Sequence, residues 1–143
     1  MINCEKNLHD FFNQTIKLPK CEEKTKAYIV SIFSDINNQE DLSQESITLL
    51  YNRALETYSF NNFRQIGDWL FLTKCLFPQT LNGASPEYYS AVAQSAYYKC
   101  YIIMRREWKV FEELADQFQP LTVNIRKNLR AASKGSDCFD GLL

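Results

Sequence analysis

The segment that most limits what this chain can become runs from Asn61 to Phe77. Phe63, Ile66, Trp69, Leu70, Phe71, Leu72, Leu76 and Phe77 nearly encircle a helix of that span, which ends before Pro78. A helix that is apolar on most sides belongs at the centre of a fold, with other elements packed around it. Only four glycines occur in 143 residues. That scarcity disfavours a fold of many strands and tight turns, and disfavours glycine-rich phosphate loops. The neighbours of the central helix should therefore be helices.

The flanking sequence supplies them. Leu8, Phe11, Phe12, Thr15 and Ile16 recur at helical spacing between Cys4 and Leu18, where Pro19 stops the pattern. Glu22 to Ile36 repeats it with Ala27, Val30, Ile32, Phe33 and Ile36, behind two acids that suit the positive end of a helix dipole. Ser43 is placed to cap a third helix carrying Ile47, Leu49, Leu50, Ala54 and Leu55. Ser85-Pro86-Glu87 combines a cap, a first-turn proline and an acid, and opens a fifth helix reaching about Met104. A sixth helix over Glu107 to Gln119 is ended by Pro120, and a seventh runs from Leu121 to Ala132. Gly67, inside the central helix, costs about 1 kcal/mol relative to alanine. It marks a close approach, for which Ala91, Ala93, Ser95 and Ala96 of the fifth helix are small enough. The expected fold is all-α, a compact bundle of six or seven helices in a single domain over residues 1–132. A flexible C-terminal tail follows over 133–143.

Several chemistries are disfavoured at this level. The 16 basic and 17 acidic residues nearly cancel, which weighs against bulk electrostatic capture of nucleic acid or membrane. The single histidine, His9, excludes histidine-rich metal sites, and its neighbour Asp10 points away from it on a helix. The five cysteines (Cys4, Cys21, Cys75, Cys100 and Cys138) are odd in number and contain no Cys-x-x-Cys pair. Cys75 and Cys100 lie in apolar runs, as core thiols do. Neither a secretory leader nor a spanning segment is recognisable, so the expected setting is cytoplasmic, without membrane contact. No cofactor, metal or acid–base pair is selected by spacing.

The strings Gly67-Asp68-Trp69-Leu70-Phe71, Phe77-Pro78, Ser85-Pro86-Glu87-Tyr88-Tyr89, Ala96-Tyr97 and Phe111-Glu112-Glu113-Leu114-Ala115-Asp116-Gln117-Phe118 resemble a pattern in uncharacterised small helical proteins of bacteria and tailed phages. The resemblance covers about residues 45 to 130. It implies the same helical fold and carries no activity.

Four groups of residues are candidate sites. Tyr88, Tyr89, Tyr97, Tyr98 and Tyr101 crowd one helix; with Trp108 they form the expected partner-binding surface, since such residues are enriched at hot spots. Arg64 and Asp68 sit one turn apart and form a solvated stripe or a structural ion pair, or else line a polar pocket between helices 61–77 and 86–104. A buried Asp68 would need a partner, most economically Arg64 or a tyrosine of the fifth helix. Arg126, Lys127 and Arg130 fall in a stretch, residues 117 to 136, with four positive charges and no acid. They are the candidate phosphate contacts. The tail, Asp137 to Leu143, alternates acidic and apolar residues as a docking peptide does. The functional expectation is a non-catalytic protein-binding or self-associating domain. The alternatives are a small-ligand binder or enzyme using the Arg64–Asp68 pocket, and a nucleic-acid accessory protein using the last helix.

Overall fold

The structure, a computed structural model, describes residues 4–36 and 46–133. Seven α-helices occur among them: α1 Cys4–Thr15, α2 Glu23–Ser34, α3 Ile47–Thr57, α4 Phe60–Leu76, α5 Pro86–Ile103, α6 Lys109–Asp116 and α7 Phe118–Ser133. A 3-10 turn, Pro78–Thr80, follows α4. The fold is an all-α bundle, and no strand is present among the described residues.

α4 is central, as its composition requires. It packs on α2, α3, α5 and α7, most extensively on α5. Contacts of Phe60 with Cys100, Gly67 with Tyr97, and Lys74 with Pro86 show that α4 and α5 run antiparallel. α3 lies parallel to α5, since Thr48, Tyr51 and Tyr58 meet Tyr88, Ser95 and Lys99 in that order. A relay of rings joins six helices through the core: Phe12, Phe33, Phe71, Phe118, Tyr97 and Phe111, with successive centroids 5.0 to 6.5 Å apart. Edge-on and tilted pairs at that range add to the burial they share.

Helix ends follow local chemistry in some places and tertiary chemistry in others. Ser59 and Ser85 accept the backbone N–H groups of Asn62 and Tyr88, capping α4 and α5. Other ends are closed from afar. The Glu113 carboxylate on α6 accepts the Glu22 N–H at the start of α2, at 3.3 and 3.4 Å. Arg126 donates to the Cys75 and Leu76 carbonyls at the end of α4, at 2.8 and 3.3 Å. Gln94 donates to the Ala115 carbonyl near the end of α6. Asn124 and Asn128, one turn apart on α7, clamp the C=O and N–H of Lys17.

Four expectations need correction. Pro120 does not end a helix; it sits in the first turn of α7, where a missing N–H costs nothing, and the break falls at Gln117. α3 begins after Ser46, and Ser43 lies outside the described residues. Leu49 and Leu55 are exposed rather than core, at 56% and 40%, because α3 buries only its Ile47–Ala54 side. On α2, Ala27 is exposed, while Thr25 and Ile29 are buried in the α2 face. Of the tail expected over 133–143, Ser133 belongs to α7, and residues 134–143, Cys138 among them, lie outside the described residues.

Candidate functional site

Asp68 is a buried polar group held by three other side chains. It is 1% exposed at the centre of α4. The Tyr97 hydroxyl of α5 donates to its Oδ1 at 2.8 Å. The Tyr28 hydroxyl of α2 lies 3.0 and 2.9 Å from its two oxygens. Arg64, one turn earlier on α4, reaches Oδ2 at 3.4 Å. Burial pushes the Asp68 carboxyl up to about 6, against the opposing pull of the two phenols and the guanidinium. Tyr28 and Tyr97 are both raised, first by burial and then by the adjacent carboxylate. Three helices are thus tied at one carboxylate.

Where a pocket around Arg64, Asp68 and Tyr97 was expected, Asp68 and Tyr97 are buried. Tyr97 is fully buried, and its ring lies over Gly67 so closely that a Cβ there would stand 2.7 Å from Cε1. The glycine therefore makes room for an aromatic ring, and Ala91, expected to pack against it, is exposed. The sequence names Arg64 or a tyrosine of the fifth helix as partners for Asp68 should it be buried, and both are found there. Tyr28 was missed; its place in the α2 pattern, four residues before Ile32 and five before buried Phe33, was the available signal.

A cleft of about 800 Å³ occurs elsewhere, between the α1–α2 connector and the α6–α7 side. Leu18, Pro120 and Leu121 contribute apolar surface to it, and Glu22, Glu113, Asp116, Lys20 and Lys109 contribute charge. Cys21 also lines it, its thiol pushed up to about 12 by burial and by Glu113. Burial likewise raises the Cys75 thiol, and burial with nearby Asp68 takes Cys100 to about 12. Thiols held protonated are poor nucleophiles. Among the described residues no group of three or more His, Cys, Asp or Glu is placed to hold a metal ion.

The tyrosine surface divides in two. Tyr89, Tyr97 and Tyr101 are buried at 8%, 0% and 5%, so they build the core and cannot contact a partner directly. Their inward positions follow from α5 lying against α4, α6 and α7. Tyr88, Tyr98 and Trp108 are exposed. Trp108 stacks on Phe111 and meets Phe60 edge-on, which fixes its indole. Of the phosphate candidates, Lys127 and Arg130 are exposed, whereas Arg126 is half-buried and engaged at the end of α4. No helix among the described residues is long and apolar enough to cross a membrane.

Compared with models of protein families, curated proteins and solved structures, the chain matches none.

Proposed function

We propose that this protein is a non-catalytic interaction domain whose contact surface is the outer face of α5, carried by Tyr88 and Tyr98 and continued at one end by Trp108. One observation carries the reading. The exposed residues of α5 are Pro86, Glu87, Tyr88, Ala91 and Tyr98, so beyond its first turn the solvent side carries tyrosines and an alanine where a surface helix ordinarily bears charge. Rigid aromatic anchors lose little entropy on binding and are enriched where binding energy concentrates. Tyr88 is held by its hydroxyl against Thr48 of α3, and Tyr98 by its ring against Tyr101. The partner is another protein or a second copy.

The test is affinity capture with the full chain from its native host. Tyr88→Ala with Tyr98→Ala should lose the retained partners, and Val123→Ala, an exposed apolar residue on α7, should keep them. Equal retention by both variants defeats the reading. A small-molecule reading has one observation in its favour, the 800 Å³ cleft, whose volume lies in the range of ligand sites. A ligand there should raise the melting temperature of the chain, which a thermal-shift screen reads directly.

A further inference from the structure

The cleft of about 800 Å³ between the α1–α2 connector and the α6–α7 side combines apolar surface with carboxylates. Leu18, Pro19, Pro120 and Leu121 supply the first, and α6 supplies Glu112, Glu113 and Asp116. Residues three and four apart are neighbours on a helix, so Asp116 stands beside both glutamates. Glu112 is met by the Lys109 ammonium at 3.7 Å, and that ammonium also donates to the Tyr101 hydroxyl of α5 at 3.3 Å. Among the described residues no basic side chain stands within ion-pair distance of Glu113 or Asp116. The other cation of the lining, Lys20, is exposed on the connector.

The hydrogen-bonding groups of the cleft lean the same way. Pro19 and Pro120 have no N–H to offer. The Glu22 N–H and the Cys21 thiol are already engaged by Glu113. The Asn124 amide donates to the Lys17 carbonyl at 3.1 Å. These bonds hold the Glu113 carboxylate in place without filling it, since a carboxylate has about four acceptor positions. Donors are engaged and acceptors are open, in a space that also has apolar walls.

We infer that this cleft binds a small organic cation, with an ammonium, amidinium or guanidinium group between Glu113 and Asp116 and an apolar body against Pro19, Pro120 and Leu121. The proposal rests on the small-molecule reading of the cleft and adds the chemical class of the ligand. The volume suits a ligand of that size. A planar amidinium or guanidinium carries parallel N–H donors that reach two carboxylate oxygens at once. Both acids are partly open to water, so the charge should favour a cation over a neutral ligand of the same shape by about fivefold.

The test is an amide NMR titration of the full chain at low salt. The cations are benzamidine and phenethylamine, the uncharged counterparts are benzamide and phenethyl alcohol, and the anion is benzoate. Both cations should bind with dissociation constants of about a millimolar or tighter, shifting signals of the connector and α6. They should bind at least about fivefold more tightly than their counterparts, and benzoate should not bind. Asp116→Asn and Glu113→Gln should each weaken the cations at least about threefold and leave the uncharged ligands unaffected. Asp116 is exposed, so Asp116→Asn should keep the wild-type melt and decides the point even if Glu113→Gln loosens the start of α2. Glu56→Gln, which removes an exposed acid of α3 outside the cleft, should change nothing. Uncharged counterparts binding as tightly as the cations overturn the cation class and leave the small-molecule reading standing. Shifts centred outside the cleft, or cation affinity indifferent to both variants, overturn the site. No binding by any of the five compounds overturns both readings.

Discussion

Asp68, Gly67 and Tyr97 act as one unit. Asp68→Ala leaves the Tyr28 and Tyr97 hydroxyls without their shared acceptor and exposes the Arg64 charge to an emptied site. The expected loss is about 2–4 kcal/mol in urea unfolding. Asp68→Asn keeps an acceptor of the same shape and sheds the buried charge, so it should cost much less. Gly67→Ala is expected to destabilise by about 1–2 kcal/mol. Helix propensity favours alanine by about 1 kcal/mol, but the Tyr97 ring is fully buried and pinned at its hydroxyl, so it cannot yield to a Cβ at 2.7 Å. A stabilised Gly67→Ala variant would show that the ring is free to move. That Asp68, if buried, would need Arg64 or a tyrosine of the fifth helix was legible in the sequence; that it is buried was not. The ring over Gly67 was not, because glycine reports only that space is short and never what occupies it.

At the scale of elements, helix existence was legible and helix ends were legible only where the capping residue is local. Ser85-Pro86-Glu87 announces α5 because its cap bond closes within three residues. Nothing near Glu22 announces that Glu113 completes the start of α2 from 91 residues away. The same holds for Arg126, read from its charge as a phosphate contact and found at the carbonyl end of α4. Two adjacent basic residues should therefore respond differently. Arg126→Ala is expected to lose about 1–2 kcal/mol of stability by leaving carbonyls without a donor. Lys127→Ala, on the exposed side, should stay within about 0.5 kcal/mol. Chemical denaturation of the two variants decides the point. Equal losses would return Arg126 to the surface charges.

For the whole molecule, the raised Asp68 carboxyl makes stability depend on pH in a definite direction. Its folded pKa of about 6 lies above the ordinary 3.8, so the folded state retains a proton that the unfolded chain releases. Asp68's contribution is fully present below about pH 4 and is lost as pH rises through 6. The span corresponds to about 2–3 kcal/mol. Subtracting Asp68→Asn from wild type at each pH isolates it, and a difference that is flat between pH 4 and 7 would remove the assignment.

The sequence by itself determined that the protein is a bundle of helices around the Phe63–Phe77 segment, because periodicity, prolines and nearby caps act over a few residues. Tertiary structure alone decided which tyrosines face inward and which outward. Five tyrosines spread around α5 carry the same local signal, and only contact with α4, α6 and α7 separates Tyr97 from Tyr98. It likewise decided that Tyr28, 40 residues from Asp68, would share its carboxylate. Long-range contacts of this kind depend on how whole helices pack, which no short window of sequence encodes.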